Sequence, residues 1–229
     1  MSELHVPANA PSAGGIARRG LMLVLSSPSG AGKSTIAASL LRDDRDLTLS
    51  ISVTTRARRG NEVDRQHYHF ITPADFAMRR DAGAFLEHAE VHGHHYATPA
   101  APVQEALLAG RDMLFDIDWQ GAVQLFEQAR ADIVSVFILP PSMDELAMRL
   151  QRRATDAPEV IERRLNNARR EIEEWTRYDY VIVNDDLGRA YDQVRAILTA
   201  ERLRRERRPG LEPFVSSLLE QRSREADEA

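Results

Sequence analysis

The chain has 229 residues, 43% of them hydrophobic and 28% charged, with a formal net charge of -5 and no cysteine. That length supports one or two domains with a full core, and the missing cysteine excludes disulfides, thiol nucleophiles and thiolate metal sites. The acidic balance excludes a global basic field for nucleic acid, so any anion site must be assembled locally. No apolar run reaches the roughly 18 residues of a membrane span. Despite the Arg18–Arg19 pair, the run Leu21 to Leu25 falls short of the roughly 7–15 apolar residues of an export signal, and the cytoplasm is expected.

Residues 1–20, rich in Ala, Pro, Ser and Gly, read as a disordered arm. "LMLVLS" reads as a strand, "STIAASLLR" as a helix, and "LTLSISVT" as a second strand. "QHYHFI" and "AFLEHAEV" alternate like half-exposed strands, with a helix "PADFAMRR" between them started by Thr72 and Pro73. Thr98 and Pro99 repeat that start signal before "APVQEALLAG", which Gly110 closes. "DMLFDID" is a buried strand ending in two aspartates, "WQGAVQLFEQAR" a helix, and "DIVSVFILP" a strand apolar enough to be covered on both faces. Ser142 and Glu145 form a capping box for "SMDELAMRLQRR"; a charged helix over 158–177, the strand "YDYVIVN" and a long helix over 187–207 follow. The tail after Pro209 carries an apolar stripe, Phe214, Leu218 and Leu219, compatible with a packed helix or a loose end. Strands alternating with helices predict a parallel α/β sheet, and residues 50–97 an inserted β-rich lobe.

The turn between the first strand and helix, "SSPSGAGKST", carries the chemistry. Of the 30 lysines and arginines only Lys33 is a lysine, and it stands in this turn. The phosphate-loop pattern is G-x-x-x-x-G-K-[ST]; Ser27 departs from its first position, while Gly32, Lys33 and Ser34 fit, with Gly30 beside them. A close backbone approach at Gly32 turns successive N–H groups inward at a helix N-terminus. Lys33 adds a compact point charge, and Ser34 offers a hydroxyl to Mg²⁺ on the phosphates. The blander reading is a Gly-rich turn with a capping serine.

Past the second strand, Ser52, Arg56, Arg58, Arg59 and Tyr68 crowd one strand end. Guanidiniums at i and i+3 suit a small dianion such as a monophosphate, or else a solvated turn. Glu87 shares a strand face with Phe85 and Ala89 and needs a partner, either an upstream arginine or a purine with two adjacent N–H donors. Asp116 and Asp118 end a strand where α/β sheets present ligand groups; Asp116 could hold a Mg²⁺ water, or the pair could cap the next helix. Arg149, Arg153 and Arg164 flank "ATDAPE" and by sequence alone are helix-surface arginines. His88, His92, His94 and His95 invite a weak zinc reading.

In their order, "SSPSGAGKST", "SVTTRARRGNEVDRQHYHF", "FLEHAEVHGHHYAT", "DIDWQG", "ILPPS" and "YVIVNDD" resemble bacterial guanylate kinases over about residues 21–205. The resemblance implies a P-loop NTPase fold of the nucleoside monophosphate kinase type. Its core would span 21–50, 98–145 and 175–205, a GMP-binding lobe 51–97, and a helical lid 146–174; the arm 1–20 and the tail 206–229 stand outside. It implies transfer of the terminal phosphoryl of ATP to GMP, and to dGMP, with Mg²⁺. Ser27, Pro28, Ser29, Gly30, Ala31, Gly32, Lys33, Ser34 and Thr35 would hold ATP, and Asn184 its adenine. Ser52, Arg56, Arg59, Tyr68 and Tyr96 would hold the GMP phosphate, and Glu87, Thr98 and Asp118 the guanine. Lys33, Arg56, Arg149, Arg153 and Arg164 would serve phosphoryl transfer, and Ser34 and Asp116 the metal. Thr98 stands for a usual serine, Ala97 for a glycine and His95 for a tyrosine. The alternatives are a binding module of the same fold without turnover and a ribose bisphosphate kinase; a homo-oligomer is open.

Overall fold

A computed structural model describes residues 16–91, 93–153 and 158–227. Strand β1 (Met22–Ser26) lies fully buried and leads through the glycine turn into helix α1 (Lys33–Asp43). After β2 (Leu47–Leu49), β3 (Val53–Thr54) and β4 (His69–Phe70) come helix α2 (Pro73–Asp81), β5 (Phe85–Val91), β6 (His94–Pro99) and α3 (Ala100–Leu108). The second half runs β7 (Asp112–Asp116), α4 (Trp119–Ala129), β8 (Ile133–Leu139), α5 (Met143–Arg153), α6 (Pro158–Glu173), β9 (Tyr180–Val183), α7 (Leu187–Arg202) and α8 (Leu211–Asp227).

Five strands form one parallel sheet in the order β2-β7-β1-β8-β9. Alternation along β1 explains why both faces must be covered. Leu23 and Leu25 point to one face, where Ile36 and Leu40 of α1 and Val194 and Leu198 of α7 close over them. Met22 and Val24 point to the other, under Val103 and Leu107 of α3 and Ala122 and Leu125 of α4. Such covering leaves the C-terminal strand ends open, where ligands bind in folds of this kind.

The expected strand 47–54 is two strands in two sheets. Ser50 and its neighbours cross from β2 to β3, which joins a second sheet ordered β4-β3-β6-β5. The stretch 66–71 joins that sheet at His69–Phe70, and Tyr68 makes an isolated bridge to Asp64. The long helix expected to residue 207 ends at Arg202, with a short 3₁₀ turn at Arg205–Arg207. The helix over 158–177 ends at Glu173 and tightens into a 3₁₀ turn. The tail is helical, with Phe214, Val215 and Leu218 about half exposed.

Residues 16–20, read as arm, are tethered. Arg18 donates to both oxygens of Asp112 at 2.7 and 3.1 Å, and Arg19 to Asp132 at 2.6 Å through Nε and Nη2. Asp112 is wholly buried and also accepts from Leu21 N at 2.9 Å and Arg202 Nε at 2.7 Å, which compensates its burial. Residues 1–15, 154–157 and 228–229 and His92 lie outside the described residues. Among the described residues no helix is long and apolar enough to cross a membrane.

Candidate active site

The turn after β1 forms at the open end of the parallel sheet. Gly30 and Gly32 have φ of 94° and 104°, the left-handed region that side chains rarely adopt. At Gly32 space also matters, because a Cβ there would sit 2.2 Å from Asn184 Nδ2. The Asn184 amide donates to Ala31 O at 2.6 Å and so holds the turn's backbone. Its Oδ1 is buried without a hydrogen-bond partner among the described residues. Lys33 Nζ lies 2.5 Å from Asp116 Oδ1 and donates to Ile117 O at 3.2 Å. Ser34 and Thr35 are exposed at the start of α1. The cavity over this turn measures about 280 Å³ and is walled by Ser27, Pro28, Ser29, Lys33, Ser34, Asp116 and Asp118.

A second cavity shares the Asp116 wall. Ser52, Tyr68 and Asp116 line a cavity of about 160 Å³, so the carboxylate of β7 borders both cavities. Arg56 is 7% exposed and donates through Nε to Tyr96 Oη at 3.2 Å. Its cation lies 5.4 Å from the Tyr68 ring centre, and Tyr68 meets Tyr96 edge to face at 5.9 Å. Burial raises the Tyr68 hydroxyl pKa, so Tyr68 stays a donor at neutral pH. Arg59 is exposed beside this pair, as is Arg58. A solvated turn, the blander reading, does not describe the buried Arg56.

Glu87 has no lysine or arginine as a hydrogen-bond or ion-pair partner among the described residues. It is 7% exposed, accepts from Thr98 Oγ1 at 2.7 Å, and faces Asp118 across Gly121. Burial, and to a lesser degree the charge of Asp118, push its pKa up. A buried carboxylate with one hydroxyl partner keeps acceptor capacity for further donors. The expected shared face with Phe85 does not occur. Phe85 pairs Pro99 and Glu87 pairs Thr98, so Leu86 is a bulged extra residue. The bulge puts Phe85 against Phe76 and Ala97 in the lobe core, and turns Glu87 to the opposite face. Thr98 is accordingly no helix cap. Pro99 holds that position, and the Thr98 hydroxyl goes to Glu87. Asp118 does cap α4, accepting from Gly121 N at 2.9 Å, while its side also lines the phosphate-loop cavity.

Helices α5 and α6 bring arginines to the turn. Arg149 donates to Glu145 at 2.9 Å and to Asn184 O at 3.2 Å, and borders a further cavity of about 270 Å³ with Gly30, Gly32, Thr35 and Asn184. The Glu145 carboxylate turns to Arg149, so of the expected capping box only the Ser142 half forms, with Glu145 N at 3.1 Å. Arg164 donates to Ser29 Oγ at 3.1 Å. The side chain of Arg153 lies outside the described residues. No group of three His, Asp or Glu among the described residues is placed to hold a metal, and His95 stacks on Phe76 at 4.9 Å; His92, which the zinc reading also named, lies outside the described residues.

Sequence reasoning missed Glu62, Arg152 and Glu171. Arg152 lines the cavity beside Asn184. Glu171 of α6 faces the Ser29 N–H within the phosphate-loop cavity, and burial raises its pKa. Its spacing of seven from Arg164 places both on one helix face, a signal the sequence did offer. Glu62 sits in a loop with no periodicity to reveal it.

Residues 19–201 match the family model described as guanylate kinase. The chain is 66% identical over 207 residues to the guanylate kinase of Chelativorans sp. (strain BNC1), covering 90% of this chain and 95% of that protein. It is 66% identical over 208 residues to that of Mesorhizobium japonicum, covering 91% and 95%. Among solved structures, the guanylate kinase from Anaplasma phagocytophilum superposes with a TM-score of 0.70 at 38% identity, covering 88% of this chain and 96% of that one.

Proposed function

The chain belongs to the guanylate kinase family, and on that premise we propose that it moves the terminal phosphoryl group of ATP to GMP, giving ADP and GDP, through the residues assembled above. Glu87 is the observation that carries the acceptor assignment: a buried carboxylate, without a cationic partner among the described residues, near Asp118, which lines the cavity over the glycine turn. The guanine N1–H and exocyclic amine supply the donors it needs. Adenine presents a lone pair at N1 and no amine at C2, its own amine standing on the far side of N1 at C6. Each lost bond to the carboxylate costs about 1.5–3 kcal/mol, enough for discrimination on the order of a hundredfold or more.

Phosphoryl transfer asks mainly for alignment and positive charge. Lys33 and the N–H groups from Ser29 to Thr35 hold the donor phosphates, Asn184 Oδ1 accepts from the adenine amine, and Arg56, Arg59, Ser52, Tyr68 and Tyr96 hold the acceptor phosphate. Arg149, Arg153 and Arg164 spread the charge of the group in transit, on a lid of residues 146–174 that closes over it. The acceptor phosphate is already anionic, so no general base is assigned. The Ser34 hydroxyl and the Asp116 carboxylate are oxygen donors suited to a hard cation. When bound there, Mg²⁺ would neutralise phosphate charge. Lys33 would then leave Asp116 for the phosphates.

A coupled assay with Mg²⁺, ATP and GMP, dGMP, AMP or ribose bisphosphate tests the reading. Turnover with GMP and dGMP is expected. ATP binding without ADP release would favour a binding module, and turnover with the bisphosphate would overturn the guanine assignment.

A further inference from the structure

Arg56 is held by more bonds than a phosphate ligand needs. It carries five N–H groups. Nε donates to Tyr96 Oη at 3.2 Å, Nη1 to Ala57 O at 2.8 Å and Glu62 Oε2 at 2.9 Å, and Nη2 to Glu62 Oε1 at 2.7 Å. Among the described residues these bonds leave one Nη2–H without an acceptor. A fork-to-fork carboxylate takes the terminal edge of the guanidinium, so the remaining Nη2–H runs parallel to Nε–H, beside the Tyr96 hydroxyl. That hydroxyl accepts from Nε and keeps its own proton to donate. Two donors therefore stand side by side at one edge of the guanidinium. Glu62 Oε2 also accepts from Arg59 N at 2.8 Å, which fixes the turn carrying the second arginine.

We propose that Glu62 is a positioning residue for the acceptor phosphate, aiming the Arg56 Nη2–H and the Tyr96 hydroxyl at it and setting the Arg59 turn. The inference rests on the acceptor being GMP. With Glu62 paired, Arg56 contributes direction more than net charge, and the net positive charge at this site falls to Arg59. The hydrogen bonds of Arg56, with that of Arg59 N behind them, hold the Glu62 pKa down to about 2, so the pair stays ionised throughout the working range.

The test is steady-state kinetics of Glu62→Ala and Glu62→Gln. Glu62→Ala frees Arg56 to rotate, and the KM for GMP should rise on the order of tenfold or more while the KM for ATP stays within about twofold. Glu62→Gln keeps one acceptor oxygen and should fall between. An unchanged or lower KM for GMP overturns the proposal, the lower value identifying a carboxylate that blocks the site. Equal rises in both KM values overturn it too, since they mean general loosening. If the alanine variant does not fold, the glutamine variant decides by the same criteria. Absence of GMP turnover in the unsubstituted protein would instead count against the acceptor assignment itself.

Discussion

Replacing Glu87 with glutamine removes a charge while keeping shape and the oxygen that accepts from Thr98 Oγ1 at 2.7 Å. In the complex, two charge-assisted bonds of about 1.5–3 kcal/mol each give way to one neutral bond of about 0.5–1.5 kcal/mol, and the amide N–H meets a guanine donor. The loss is at least about 1.5 kcal/mol, so kcat/KM for GMP should fall roughly tenfold or more. Stability moves the other way. Burial raises the folded-state pKa above the ordinary 4.5, so the folded protein holds this proton more tightly than the unfolded chain. The stabilising contribution is full below pH 4.5 and is lost as pH rises through the folded value. At neutral pH the carboxylate is therefore a liability that glutamine lacks. Thermal melts of the nucleotide-free protein from pH 5 to 8 should show Glu87→Gln gaining over the parent as pH rises, while a coupled assay shows the kinetic loss. A variant that melts lower at neutral pH yet phosphorylates GMP normally would make Glu87 a fold element and refute the reasoning.

Lys33→Ala removes the one ammonium at the phosphate turn, and kcat should fall at least about a hundredfold with the circular dichroism spectrum unchanged; retained turnover would displace Lys33 from its role. Gly32→Ala places a methyl 2.2 Å from Asn184 Nδ2 at a φ of 104°, which strains the turn by roughly 1–2 kcal/mol before any clash; calorimetric ATP titration should show weakened binding. Asp112→Ala strands Arg18 and Arg202 around a wholly buried position, and urea unfolding should report a loss of about 3–5 kcal/mol with the m-value unchanged.

The sequence alone determined the layered core and the phosphate turn. The apolar runs of β1 and β8 are buried on both faces as their composition requires, and a glycine, lysine and hydroxyl between strand and helix allow few other geometries. It also placed Glu87, the arginines and Asp116 as polar groups needing an explanation, because a charge in an apolar pattern is conspicuous. Which explanation holds is decided by contacts distant in sequence. The bulge at Leu86 arises from pairing with β6 and reverses the face that alternation assigns to Glu87. Thr98 reads locally as a cap, yet its hydroxyl is drawn to a buried carboxylate that has greater need of a donor. Residues 47–54 have one uniform strand propensity but divide between two sheets, because Val53 and Thr54 find their partners in β4 and β6 after the pairing of β2 with β7 ends at Leu49. Glu62 acquires its part only when its loop folds back on Arg56. Periodicity records which face a residue prefers; which partner stands at that face depends on chain segments that meet only in the folded protein.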